Sequence, residues 1–251
     1  MWNRWKDTFV MSHRVMKHNY RSPDTLITVV GMPVMMLLLF VYVFGGAIEA
    51  KGQSYVNFVV PGIILFAMAS GSAYTALRIN VDKTSGIFDR FRSMPIARSA
   101  ILSGHVFASV FFMAIATVIV VLISLLCGFR PSAGPLQWLG AIGLLALFAF
   151  AMTWLSVPFG LTAGNAEGAG AFSYLLLMLL FISSAFVPTD SMPTAVRLFA
   201  EHQPMTPIIQ AVRDLLLDRP VGNDGWWAAG WCVAIILAAY LAALRVVRTA
   251  R

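Results

Sequence analysis

The chain has 251 residues, 59% hydrophobic and 12% charged, with a mean hydropathy of +0.79. A soluble globular domain carries roughly 25% charged residues, so this composition excludes one and specifies an integral membrane protein. The net charge of +7 would point to nucleic acid in a soluble protein. Here the basic residues gather at the ends of apolar runs, where they set orientation, and no nucleic acid partner is expected.

Residues 1–22 are predicted to form an amphipathic interfacial helix. Trp2, Trp5, Phe9 and Met16 share one face by their three-, four- and seven-residue steps, and Arg4, Lys6, Arg14, Lys17 and Arg21 surround the rest. Aromatics then sit at the acyl boundary and cations near lipid phosphates, an arrangement compatible with packing on a partner. Pro23 ends this helix. No small-residue cleavage site follows the first apolar run, so no cleavable signal peptide is expected.

A hydrocarbon core of about 30 Å needs about 20 apolar residues in a helix. Runs of that kind predict an all-α membrane protein with six spans, at about 26–45, 57–77, 106–128, 136–157, 169–187 and 226–244. Pro33 and Pro61 lie inside the first two, which lipid tolerates where neighbours satisfy the freed carbonyls. Residues 69–73 give the second span a small-residue face suited to close helix approach. Gly160, Gly164 and Gly168 form a tandem GxxxG beside Asn165 and Glu167; close packing and a tight turn are equally good readings. Residues 188–225 are rich in proline (Pro188, Pro193, Pro204, Pro207, Pro220) and hold two short amphipathic helices, at about 194–201 and 208–218. These read as helices dipping into the outer leaflet. The whole of 1–251 is expected to be one transmembrane domain.

Six spans put both termini on one side. Thirteen of the eighteen lysines and arginines fall on that side; Lys51, Arg130, Arg197, Arg213 and Arg219 fall opposite. The positive-inside rule assigns the termini and the 78–105 segment to the cytoplasm.

The chemistry that is missing narrows function. The predicted spans carry no Asp, Glu, Lys, Arg or His in their interiors, which disfavours proton-coupled transport and voltage sensing. No GxxxxGK[ST] phosphate cradle occurs, and no GxSxG or HExxH. His13, His18, His105 and His202 are scattered and read as interfacial or capping residues, so no metal site and no catalytic residue is expected. Cys127 and Cys232 lie in apolar runs and read as buried or lipid-facing thiols. A polar path without an engine fits a passive pore, a structural subunit, or a transporter driven by another protein.

The 78–105 segment favours the last of these. Thr84 or Ser85 can cap a short helix with Ile87, Phe88, Phe91 and Met94 on one face, Asp89, Arg90 and Arg92 exposed, and Pro95 at its end. Such a helix suits a ball-and-socket contact with a separate protein. It equally suits a helix held on the surface by anionic lipid, and the residues alone leave the two level.

The run Asp82-Lys83-Thr84-Ser85-Gly86-Ile87-Phe88-Asp89-Arg90-Phe91-Arg92-Ser93-Met94-Pro95-Ile96-Ala97-Arg98 resembles the cytoplasmic motif after the second span in type-2 ABC exporter permeases, with Asp82 where Glu is commoner. Residues 180–193 resemble the family's end of the fifth span. Gln203-Pro204-Met205-Thr206-Pro207, followed by Val212-Arg213, resembles its Asn-Pro segment, with Gln203 replacing Asn and putting a helix cap in doubt. The chain looks most like daunorubicin-resistance-type drug exporters of bacteria. The resemblance implies no cofactor in this chain. ATP and Mg would be bound by a separate ABC ATP-binding subunit, with a second permease copy or paralogue as the other partner. It implies ATPase coupling through Gly86, Ile87, Phe88, Asp89, Arg90, Phe91, Arg92, Met94 and Pro95. It places a pathway at a dimer interface lined by the second and fifth spans, here Ser70, Gly71, Ser72, Tyr74, Ser183, Ser184 and Phe186. Pro188, Pro193, Gln203, Pro204 and Arg213 would belong to an outer re-entrant segment. The expected role is export of amphipathic drugs, antibiotics or lipid-like compounds across a bacterial plasma membrane. The alternatives are a polysaccharide or teichoic-acid exporter permease, or a non-transporting scaffold or sensor.

Overall fold

A computed structural model describes residues 4–48, 54–87 and 98–249, and every regular element among them is helical. Helix α1 is Arg4–Arg21 and α2 is Pro23–Phe44. Within α2, Ile27–Gly31 is π-helical, directly ahead of Pro33. Proline lacks the N–H that would serve the Val29 carbonyl and its ring crowds that group, and one wider turn relieves both.

Helix α3, Tyr55–Thr84, is the axis of the molecule. Around it stand α4 (Arg98–Leu126), α5 (Pro135–Thr162), α6 (Ala166–Gly170), α7 (Phe172–Phe181) and α9 (Met205–Leu216). Helix α8, Thr194–His202, leads into α9, and α10, Asp224–Thr249, packs along α5. Among the described residues five helices are long and apolar enough to cross a membrane: α2, α3, α5, α10 and the Ser103–Leu126 part of α4. The expected fifth span is shorter, Ala166–Phe181. The helix gives out at Ile182, whose backbone leaves the helical region, and turns carry the chain on to Val187.

The second span does not stop at Leu77. Helix α3 runs through Arg78, Asp82 and Lys83 to Thr84, about 45 Å at 1.5 Å per residue. That exceeds a hydrocarbon core of about 30 Å, so its charged last turns project beyond. The helix ends at Gly86, at φ +72, with the Ser85 and Gly86 N–H groups bonding back to the Val81 and Lys83 carbonyls. Glycine adopts this left-handed turn without the Cβ clash of other residues. The Thr84 and Ser85 hydroxyls donate to the Asn80 and Asp82 carbonyls, and the helix that they were expected to cap lies outside the described residues beyond Ile87.

The tandem glycines divide between the two readings. Gly160 is inside α5, where a Cβ would stand 2.6 Å from the Ala76 carbonyl oxygen of α3, so this glycine serves close packing. Gly164 lies in the turn after α5, and Gly168 donates its N–H to the Asn165 side chain that caps α6.

The expected aromatic face of α1 points outward at Phe9, while Met11, Ser12 and Val15 face inward. Gly104 of α4 lets this face approach, since a Cβ there would meet Met11 Cβ at 2.6 Å. Helix α2 and helix α10 are mostly exposed and carry large apolar side chains outward, among them Met35, Tyr42, Trp226 and Leu237. A bilayer is the solvent for such a surface.

Candidate functional site

Polar groups on α3 reach several neighbours along its length. Near its N-terminus, Tyr55 Oη donates to the Phe186 carbonyl at 3.0 Å, and Asn57 Oδ1 accepts from the Arg130 N–H at 3.0 Å. In the middle, Ser72 Oγ donates to the Met152 carbonyl of α5 at 2.7 Å. Tyr74 pairs with Thr25 of α2, and Thr75 Oγ1 donates to Ser109 Oγ of α4 at 2.8 Å. Near its C-terminus, Asn80 Nδ2 donates to the Gly160 and Ala163 carbonyls, and Lys83 Nζ to the Leu161 carbonyl. The last carbonyls of α5 have no helical partner, so α3 supplies their donors. In lipid, where apolar contact between helices gains little over lipid contact, such bonds and close packing hold helices together.

The N-terminal end of α3 is clamped by Arg213 of α9. This side chain is 1% exposed. Its Nε donates to the Phe58 carbonyl at 3.1 Å, one terminal nitrogen to the Ser184 carbonyl at 2.6 Å, and the other to Gln210 Oε1 at 2.6 Å. The guanidinium carbon lies 4.0 Å above the Phe58 ring. Burial pulls its pKa down to about 10. The planar fork of arginine joins three separate segments here: α3, the turn after α7, and α9.

Gln203 resolves the doubt over its cap. Its Nε2 donates to the Leu179 and Ile182 carbonyls, the orphaned end of α7. Its Oε1 accepts from Met205 N–H at the start of α9. One amide thus closes two helix ends, a role its extra methylene permits.

The C-terminal end of α3 gathers a charge cluster. Asp82 is buried, 3.3 Å from Arg14 of α1 and 3.2 Å from His105 Nε2 of α4. His105 is therefore neither interfacial nor a cap: it is 3% exposed. Its Nε2 is close to the carboxylate but not aligned for a hydrogen bond, and its Nδ1 has no hydrogen-bond partner.

Most of the residues expected at a pathway or dimer interface are buried against other parts of this chain. Gly71 is pressed between Met113 and Val29, where a Cβ would meet Met113 Cγ at 2.8 Å. Ser72 and Tyr74 bond to α5 and α2, and Ser70 is half-buried beside them. Ser183 and Ser184 are buried in the turn after α7, and Phe186 stacks on Phe40 with ring centroids 4.4 Å apart. Pro188 and Pro193 bracket a short 3-10 turn, and Pro204 precedes α9. Of the expected ATPase-coupling residues, Gly86 lies in the turn after α3 and Ile87 is helical just beyond that turn. Phe88, Asp89, Arg90, Phe91, Arg92, Met94 and Pro95 lie outside the described residues. Sequence reasoning missed Asp82 and His105 as a pair and placed Arg213 without its clamp. A cation in an otherwise apolar helical face was the available signal for the clamp. Among the described residues no group of three His, Cys, Asp or Glu is placed to hold a metal.

Among the described residues, five long apolar helices, one of them the polar-bonded central α3, define a multi-pass helical membrane protein. The chain belongs to the ABC-2 type transporter family, whose model matches residues 6–217, and is by that membership a transport permease. It is 34% identical over 225 residues to the daunorubicin resistance ABC transporter permease protein DrrB1 of Streptomyces coeruleorubidus, covering 88% of this chain and 78% of the relative. It is 24% identical over 234 residues to the probable doxorubicin resistance ABC transporter permease protein DrrC of Mycobacterium tuberculosis, covering 90% and 84%. To the putative transport permease ycf38 of Cyanophora paradoxa it is 29% identical over 218 residues, covering 84% and 74%.

Proposed function

We propose that this chain is the permease subunit of an ATP-driven exporter that moves amphipathic drugs, antibiotics or lipid-like compounds out of a bacterial cell. It would lie in the plasma membrane with both termini cytoplasmic and residues 1–251 forming one domain. The sixth crossing would be made by α6 and α7 together with the turn up to Val187, and α8 and α9 would dip into the outer leaflet. A separate ATP-binding subunit would supply the force, and a second permease copy or paralogue the other half of the route.

The observation that carries this reading is the continuity of α3. One helix of 30 residues joins the Gly86 turn at one end to the Arg213 clamp at the other. Force applied at Gly86–Pro95 would reach the outer end through a single rigid element whose partners lie on five neighbouring helices. The relatives named for daunorubicin and doxorubicin resistance favour a drug-like cargo. Arg92→Glu and Phe91→Asp are expected to weaken substrate-stimulated ATP turnover of the reconstituted complex while leaving membrane insertion intact. Unchanged stimulation in both variants would refute coupling through this segment.

A further inference from the structure

A cleft of about 670 Å³ opens where α1 turns into α2 and meets the inner ends of α3 and α4. Arg14, Lys17, Arg78, Asp82 and His105 supply its polar lining. Three cations face one carboxylate, and that carboxylate is already engaged with Arg14 and His105. The excess is positive, and Lys17 is exposed while Arg78 is half-buried. His105 lines the same cleft, nine-tenths buried, with Nδ1 lacking a partner. A buried polar atom of this kind ordinarily has one.

We propose that this cleft binds the phosphate of an anionic glycerolipid. Guanidinium and ammonium groups make charge-assisted hydrogen bonds to phosphate oxygens, and basic pockets between membrane helices on the cytoplasmic side take anionic headgroups. Depth agrees with this choice. Ser22 and Pro23, at the turn where the chain begins the α2 span, form the cleft's edge. Phe9 and Val10 project from the outer face of α1, placed to meet acyl chains beside the headgroup. The bound phosphate would join α1 to α3 beside the Arg14–Asp82 pair and so hold the N-terminal helix against α3. The proposal rests on the orientation proposed above, which puts this cleft at the inner leaflet.

The test is native mass spectrometry of the purified full-length chain with phosphatidylglycerol or phosphatidylcholine added. It needs neither the ATPase nor transport, so a failure of the exporter reading would leave its outcome standing. Wild-type protein is expected to retain phosphatidylglycerol in preference to phosphatidylcholine. Lys17→Gln with Arg78→Gln is expected to lower that retention about tenfold or more, from two cations each worth roughly fivefold beside an anionic headgroup. Lys17→Arg with Arg78→Lys keeps the charges and should retain the lipid. An unchanged melting temperature of the double glutamine variant would separate lost binding from lost folding. Equal retention of the two lipids, or full retention by the double glutamine variant, would overturn the proposal. Displacement of the lipid by millimolar inorganic phosphate would overturn the lipid assignment and leave a site for free phosphate.

Discussion

Replacing Gln203 by leucine removes one amide and leaves the side-chain volume nearly unchanged. The cost can be worked from the groups left behind. The Leu179 and Ile182 carbonyls lose donors at 2.8 Å and 3.0 Å. Both belong to the last turn of α7, where intrahelical donors have run out. The Met205 N–H loses an acceptor at 3.3 Å, a long bond that adds little. Gln203 is 5% exposed, so water has poor access to the carbonyls it serves. A buried polar group without a partner costs about 1–3 kcal/mol, and two carbonyls together give about 2–6 kcal/mol. No buried charge is removed, so nothing offsets the loss. For a chain of this length, each 1 kcal/mol shifts Tm by roughly 2–4 °C. Gln203→Leu should therefore melt about 5–15 °C below wild type in detergent, read by intrinsic fluorescence or dye binding. Gln203→Glu keeps the shape but offers no donor and should fall at least as far. A Tm within about 2 °C of wild type for the leucine variant would refute the claim that this amide closes both helix ends.

Arg213→Met should be milder than its three lost bonds suggest. Burial has already pulled the guanidinium pKa down to about 10, and the methionine variant recovers the cost of holding that charge away from water. A net loss of about 1–2 kcal/mol is expected in the same melts, and Arg213→Ala, which also leaves a cavity, should lose clearly more. Gly62→Ala and Gly160→Ala should both destabilise, because the new methyl would stand 2.6 Å from the Ala185 or Ala76 carbonyl oxygen; Gly143→Ala, with open space around it, should be neutral or slightly stabilising. Orientation is checked in a background lacking Cys127 and Cys232: a membrane-impermeant maleimide should label Ser132→Cys in intact cells, and Ser85→Cys only after permeabilisation.

Much of the architecture is written in local pattern. Apolar runs of spanning length, the cation asymmetry and the amphipathic periods of α8 and α9 each depend on residues a few positions apart, so the chain's order reveals them. Where α3 ended was not legible, because Arg78 and Asp82 look like the start of a loop. They stay helical, with Asp82 paired to Arg14 and His105 on other elements. Nor were the contacts legible that the small residues of α3 make within this chain: Gly71 accommodates Met113, and Ser72 bonds to Met152.

The sequence by itself therefore determined that this is a helical membrane protein, which stretches are apolar enough to span, and which family it resembles. These follow from transfer free energies and short motifs, which are properties of contiguous residues. Only the tertiary structure decided what the polar residues inside those stretches do. Arg213 reaching Phe58, Gln203 closing α7 and Asp82 holding two elements are contacts across tens of residues. A buried polar group in lipid must find a partner, but hydropathy does not say which one. Helix packing around α3 makes that choice.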